Sequence, residues 1–596
     1  MTTTPTGGST TLLSVRDLTV SFGKPGREKK AVRSISFDVR RGETLAIVGE
    51  SGSGKSMTSL ASIGLLPDTA NVTGSVSLVG TEVVGASDQV MRKLRGSKVS
   101  MVFQDPLSTL NPVLTVGHQI TEAILIHRPM GKEKAKQEAI ELLDVVGIPE
   151  PQNRMDSYPH EFSGGMRQRV VIAIALANKP DLIIADEPTT ALDVTVQNQV
   201  LHALDAARRH VNAGMILVTH DLGVIAGHAD RVAVMYGGRI LETGGINEFF
   251  ESPKTSYARG LLRAIPRIDK RSERLLPIPR QVTKQLDDVL DDDNFDALEL
   301  PGIEETPSSD SGTQPPSSRQ VSDDIVLEVE NVIKDYSVSS KKHFRKQSHR
   351  ALNDVSFTLR NGETLGIVGE SGSGKSTLSR AIVGLHDVTS GSIRLNGSDI
   401  SEGSRSTRKK YRRKVQMVFQ DPYSSMDPRM SVEEVLTEAM RLGRVSKQGW
   451  SDRVDELLTS VGLSPDMADR YPHEFSGGQR QRIAIARALA TDPEVIVLDE
   501  PVSALDVSVQ AAVINLLEDL RDERGLTYIF VTHDLSVVAH ISDRIAVMKS
   551  GEVVEIGETS QVINEPSHSY TKQLVSAAPI PDPKIERPKR NPDGAI

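Results

Sequence analysis

Lys55 and Ser56 close the stretch GESGSGKS, and Lys375 and Ser376 close the same eight letters a second time. A lysine and a hydroxyl residue after a glycine-rich run form a device for holding a polyphosphate. The glycines let the backbone curl until its N–H groups point at phosphate oxygens, the lysine reaches the outer phosphates, and the serine ligates magnesium. Gly49, Ser51, Gly52, Gly54, Lys55 and Ser56 carry the pattern first; Gly369, Ser371, Gly372, Gly374, Lys375 and Ser376 carry it again.

A phosphate loop alone says only nucleotide. Hydrolysis also needs carboxylates beside the phosphates, and LIIADEP (Leu182 to Pro188) and VIVLDEP (Val495 to Pro501) each set Asp and Glu after four apolar residues. Asp186 and Asp499 are expected to hold magnesium directly or through water, and Glu187 and Glu500 to polarise the attacking water. This pairing favours hydrolysis over binding alone.

Such residues need a scaffold that brings them together. The apolar run TLAIVG (Thr44 to Gly49) suits a buried strand, and MTSLASIGLL after Ser56 suits a helix, so the loop lies between a strand and the positive end of a helix dipole. Carboxylates at strand ends beside such a loop are the arrangement of a doubly wound α/β sheet. A second anion-binding device opens two further helical runs: FSGGMRQR, with Ser163, Gly164 and Gly165, and FSGGQRQR, with Ser476, Gly477, Gly478 and Gln479.

The motifs recur in register. Lys375 lies 320 residues after Lys55, Gln420 lies 316 after Gln104 and Ser476 lies 313 after Ser163; Asp499 and His533 keep the offset of 313 from Asp186 and His220. The chain is therefore read as a duplicated domain: a disordered start over residues 1–11, one copy over 12–266, a linker over 267–324, a second copy over 325–582 and a tail over 583–596. The linker is acidic and rich in Pro, Ser and Gly, a composition that buries little apolar surface, and is expected to be a flexible tether.

Composition sets further bounds. The 596 residues are 38 % hydrophobic, enough for several cores, yet contain neither a signal-peptide pattern nor an apolar run of about 18 residues, so a cytosolic location is expected. The absence of cysteine excludes disulfides, thiolate zinc sites and cysteine-ligated iron–sulfur clusters. A net charge of −9 argues against a general nucleic-acid binder, and the basic run RKKYRRK (Arg408 to Lys414) is read as a solvated face.

Together the phosphate loops, the SGG signatures with YPHE ahead of each, FQDP at Gln104 and Gln420, ALDV after the carboxylates and VTHDL at His220 and His533 resemble the nucleotide-binding domains of ATP-binding cassette (ABC) transporters. The resemblance implies two P-loop NTPase domains, each with a RecA-like α/β core, an antiparallel β subdomain and a helical subdomain. It implies two ATP sites, each shared head to tail by both copies. ATP and Mg2+ on Lys55, Ser56, Asp186 and Glu187 would be capped by Ser476, Gly477 and Gly478. ATP and Mg2+ on Lys375, Ser376, Asp499 and Glu500 would be capped by Ser163, Gly164 and Gly165. His220 and His533 would contact the terminal phosphate, and Gln104 and Gln420 the metal and the water. Asp193 and Asp506 would lie across the interface, with Phe22 and Tyr336 stacking on adenine. Met166 stands where the other signature has Gln479, and the two sites are expected to differ in affinity or turnover.

The loops QDPLSTLNPV and QDPYSSMDPR, and the tails PKTSYARGLLRAIP and PSHSYTKQLVSAAP, resemble more narrowly the fused ATPase subunits of bacterial oligopeptide and dipeptide importers. That implies two transmembrane permease subunits, an extracytoplasmic solute-binding protein and a peripheral place on the cytoplasmic face of the inner membrane. Importers of glutathione, nickel and other peptide-like solutes stay open as alternatives, as does a ribosome-associated twin cassette. Some relatives hold a cysteine-ligated cluster after the first tail, which this chain cannot.

Overall fold

The computed structural model describes residues 10–24, 27–190, 192–270, 274–290, 321–338, 347–400 and 405–590. Each half is built on a six-stranded sheet. In the first, the order is Arg239–Gly245, Arg231–Tyr236, Thr44–Val48, Gly214–Val218, Leu182–Asp186 and Val99–Val102, parallel except for the antiparallel outer pair Arg239–Gly245 and Arg231–Tyr236. The second half repeats it with Glu552–Glu558, Arg544–Lys549, Thr364–Val368, Thr527–Val531, Val495–Asp499 and Val415–Val418. The central strands are buried at every position, which is why they read as unbroken apolar runs and not as alternating ones.

An antiparallel four-stranded sheet flanks each core; in the first half it is Lys29–Arg40, Thr11–Phe22, Ala70–Leu78 and Thr81–Glu82. Its inner face, with Val15, Val20 and Val39, shares one apolar core with Leu45 and Ile47 of the strand that leads to the phosphate loop. The helices Val116–His127, Lys132–Val145 and Gly164–Leu176 gather a second core. Both halves therefore have the three expected parts. No helix among the described residues is long and apolar enough to cross a membrane.

Ala46 against Gly366 is the one difference within the repeated GETLAIVGESGSGKS, and packing explains it. A methyl group on Gly366 would stand 2.5 Å from Val538 Cγ1 and 2.6 Å from Ser542 Oγ. The equivalent residues of the first half are Ile225 and Ala229, and the smaller Ala229 leaves room for the fully buried Ala46.

The segment expected to be a tether from residue 267 is structured over 274–290. Ile278 donates its N–H to Ser508 Oγ at 3.1 Å, and Asn515 Nδ2 donates to the carbonyl of Leu275 at 2.8 Å. Arg274 pairs with Asp519 through two bonds of 2.8 Å. The chain then forms the helix Arg280–Val289, whose buried Val282 and Leu286 return to the first half's core with Tyr257 and Leu261. Leu275, Ile278, Val282 and Leu286 form an apolar strip three to four residues apart, and that strip has the core area the acidic stretch after it lacks. The latter, residues 291–320, lies outside the described residues.

The C-terminal tail from residue 583 begins as a helix. Helix Pro583–Arg590 lies on the first half, where Arg587 donates to the carbonyl of Ala229 at 2.7 Å and Lys584 pairs with Glu251 at 2.9 Å. The expected disorder of residues 1–11 falls on 1–9, outside the described residues, and Thr11 already opens a strand. The basic run is part of helix Arg405–Lys414, tied by Arg408 to Asp387 and by Lys414 to Glu494.

Candidate functional site: two phosphate loops facing the opposite halves

Each phosphate loop is a turn that only glycine allows at its ends. A Cβ on Gly49 would lie 2.2 Å from the Met235 carbonyl oxygen, and Gly54 enters the helix Lys55–Ser62 at φ 100°. The second loop repeats both constraints, at Gly369 against Met548 and at Gly374 with φ 104°. Inside the turn Lys55 Nζ donates to the carbonyls of Gly49 and Glu50, at 2.8 and 2.9 Å, and Lys375 to those of Gly369 and Glu370, at 2.6 and 2.8 Å. Both lysines are nearly buried, and desolvation lowers their pKa. A phosphate would restore what burial costs them.

The carboxylates stand where the sequence put them. Ser56 Oγ lies 3.2 Å from Asp186 Oδ1, and Ser376 Oγ lies 3.4 Å from Asp499 Oδ1. Burial raises the pKa of both aspartates. A hydroxyl and an oxygen-rich carboxylate, the latter destabilised as an anion by burial, fit a hard cation such as Mg2+. Gln104 Nε2 donates to Glu187 Oε2 at 3.0 Å, and Gln420 Nε2 to Glu500 Oε2 at 2.8 Å. His220 Nδ1 stands 3.7 Å from Glu187, and His533 Nδ1 stands 3.3 Å from Glu500. The His220 contact holds the Glu187 carboxyl below its ordinary pKa; for Glu500, burial pushes upward and His533, Lys375 and Ser503 together outweigh it. Both glutamates are held as bases. Both also adopt positive φ, 46° and 48°, a strained backbone that keeps the side chain turned toward the site.

The two halves meet through these loops. Asp193 Oδ2 accepts the N–H of Ser371 at 3.3 Å, and Asp506 Oδ1 accepts the N–H of Ser51. Leu192 and Asp193 thereby join Tyr336, Lys375, Ser376, Gln420, Glu500 and His533 around a cavity of about 660 Å3, within the size of small-molecule sites. His349 and Arg350 line it too. No motif marks them; they come from the strand Gln347–Arg360, paired with that of Tyr336. Between the halves, Thr219, His220 and Asp221 share a cavity of about 180 Å3 with Thr532, His533 and Asp534.

The signatures lie one layer behind. Ser163 and Ser476 cap their helices, accepting the N–H of Met166 at 3.4 Å and of Gln479 at 3.3 Å. Methyl groups on Gly164 and Gly477 would touch Leu192 and Leu505 at 3.7 Å, and on Gly165 and Gly478 would collide with Val196 and Val509. The glycines therefore let the signature pack against the segment that reaches the other half. Ser163, Gly164 and Gly165 do not themselves line the cavity at Lys375. Only the second signature closes a reciprocal cap: Gln479 Oε1 accepts the N–H of Ser476 at 3.0 Å, which a methionine cannot do. Tyr336 faces the cavity, whereas Phe22 is half-buried against the core.

A family profile described as ABC transporter matches residues 32–190 and 352–503, and one described as oligopeptide/dipeptide transporter, C-terminal region, matches 241–289 and 554–595. The chain is 47 % identical to the oligopeptide transport ATP-binding protein OppD of Mycobacterium tuberculosis, over 96 % of this chain and 99 % of that one. It is 44 % identical to the glutathione import ATP-binding protein GsiA of Escherichia coli K12, over 97 % and 91 %. It is 43 % identical to GsiA of Pectobacterium atrosepticum, over 96 % and 90 %. The chain belongs to the ABC transporter family, as an ATP-hydrolysing subunit carrying two cassettes.

Proposed function

We propose that this chain energises import of oligopeptides or dipeptides, with each of its two ATP sites shared between the halves. The observation that carries the reading is the reciprocal contact of Asp193 with the Ser371 amide and Asp506 with the Ser51 amide. ATP on Lys55, with Mg2+ on Ser56, Gln104 and Asp186, is closed by Ser476 to Gln479; ATP on Lys375, with Mg2+ on Ser376, Gln420 and Asp499, is closed by Ser163 to Gly165. Glu187 and Glu500 polarise the attacking water, His220 and His533 meet the terminal phosphate, and Tyr336 and Phe22 stack on adenine. The C-terminal match and the OppD relative support peptides as the solute; the GsiA relatives support glutathione, itself a small peptide, as the alternative. The chain works from the cytoplasmic face of the membrane on two permease subunits, supplied by an extracytoplasmic solute-binding protein.

The test is purification of the tagged Glu187→Gln, Glu500→Gln chain with ATP from detergent-solubilised membranes, with mass spectrometry of what accompanies it. Two multi-span permeases, followed by peptide uptake in liposomes with the wild-type chain, are expected. Copurification of ribosomal proteins without a membrane partner would overturn the transport reading.

A further inference from the structure

Tyr570 is buried under the second phosphate loop, on the helix Ser569–Ala577, and its hydroxyl accepts the backbone N–H of Glu370 at 3.1 Å. That N–H is the first of the loop after Gly369. The next, of Ser371, is taken by Asp193 of the opposite half, and the carbonyls of Gly369 and Glu370 are taken by Lys375. The root of the loop is thus fixed by its own lysine, by the other half and by a tyrosine from the chain's C-terminal region. The tyrosine is itself held, with Lys549 Nζ 4.7 Å over its ring. A neutral phenol suits the place, because an anion there would oppose the phosphates. Burial pushes its pKa up to about 12, so the hydroxyl keeps its proton throughout the physiological range.

The first half repeats the residue with a weaker form of the contact. Tyr257 is equally buried beside Glu50, but its ring tilts onto Tyr236 at 5.0 Å, where the second half has Lys549. The Glu50 backbone N–H approaches its hydroxyl without making a hydrogen bond of ordinary length and angle.

We propose that Tyr570 is a positioning residue of the second ATP site, pre-forming the loop root through the Glu370 amide; this rests on the reading of that loop as an ATP site. A pre-formed loop loses less freedom when the nucleotide arrives, so the hydroxyl acts on binding and leaves the water, the metal and Glu500 untouched.

The test titrates trinitrophenyl-ATP with Mg2+ against the full-length chain carrying Lys55→Ala, so that the second site alone is read. Tyr570→Phe is expected to weaken binding about three- to tenfold, the worth of one neutral hydrogen bond, with the melting temperature of the nucleotide-free chain unchanged. In the chain with both lysines, KM for ATP rises and kcat stays. Tyr257→Phe, read in a Lys375→Ala chain, gives a smaller loss than Tyr570→Phe. Lys549→Met, which frees the ring but spares the hydroxyl, gives a smaller loss and reads the site should Tyr570→Phe lower the melting temperature. Unchanged affinity in Tyr570→Phe, or an equal loss in Tyr257→Phe, overturns the proposal. Persistent binding in the Lys55→Ala, Lys375→Ala chain overturns the site reading beneath it.

Discussion

Asp193 of the first half and Ser371 of the second are joined by a hydrogen bond of 3.3 Å, carboxylate oxygen to backbone amide. Asp193 also caps its own helix, its other oxygen accepting the N–H of Val196 at 2.9 Å. One side chain therefore fixes both a helix start and the opposite phosphate loop. Asp193→Ala removes both, costing about 1 kcal/mol at the cap and unfastening the second site. ATPase activity is expected to fall severalfold while the chain stays folded, seen by comparing turnover with the melting temperature. Wild-type turnover in the variant would show the contact to be incidental.

The unequal signatures are expected to make the two sites unequal. Gln479 closes the reciprocal cap on Ser476 and Met166 leaves Ser163 with one bond. Met166→Gln is expected to give the first signature the second's cap and to bring nucleotide affinity at the Lys375 site closer to that at the Lys55 site. Glu187→Gln and Glu500→Gln should lower turnover at their own sites by about 100-fold or more, and unequally in the whole chain. Equal rates and equal affinities in the two glutamine variants would remove the asymmetry.

Glu50 is expected to make the first interface pH-dependent. Its carboxyl is pushed up from 4.5 to about 7 by burial, then by Asp506 of the other half, against the opposing pull of Lys55. An acid with a raised pKa is stabilising to the closed arrangement only while protonated, so the contribution is whole below pH 4.5 and is lost as pH climbs through about 7. Affinity for ATP at the Lys55 site should therefore weaken from pH 6 to pH 8, and Glu50→Gln should flatten that trend. The same slope in Glu50→Gln would assign it to another group.

Much of the site was legible because its chemistry is local. Lys55, Ser56, Asp186 and Glu187 each belong to a short motif whose backbone the motif itself dictates, and the repeat at near-constant offset showed that the halves share a fold. What stayed hidden is what depends on residues far apart in the sequence meeting in space outside any motif. His349 and Arg350 reach the cavity only through strand pairing. Tyr570 reads as a core aromatic on an amphipathic helix until the loop above it is in view. The segment Arg274 to Leu290 was masked by the acidic residues after it, since average composition cannot show four apolar side chains spaced to meet a surface supplied by another domain.

The turns after Gln104 and Gln420 present different side chains at equivalent places. Leu107 and Val113 are 61 % and 75 % exposed in the first; the second has Tyr423 and the ion pair of Asp427 with the exposed Arg429. Exposed apolar residues beside the glutamine that touches Glu187 suit a permease segment. Charge reversal at Asp427, or a proline inserted beside Asn111, is expected to abolish uptake while ATPase activity remains. Uptake at the wild-type level would sink this assignment.

The crossing segments predict how the halves stay together. Leu275 is 1 % exposed in the second half's core, and Pro579 lies against Gly223 of the first, where an added methyl would sit 2.8 Å from its Cβ. Neither contact includes the phosphate loops, so both can persist while the ATP sites open. Truncating the buried leucine costs on the order of 2–5 kcal/mol, felt at the joint more than within either core. Leu275→Ala is therefore expected to leave each half folded and to hasten proteolysis between residues 267 and 324, with ATP restoring protection by closing the loops across the interface. The cysteine-free chain permits a direct reading: with the exposed Leu276→Cys and Glu523→Cys labelled, the distance between them should stay constant through hydrolysis in the otherwise unchanged chain and broaden in Leu275→Ala. If it broadens in the otherwise unchanged chain at every turnover, the straps open with the sites and hold nothing in place.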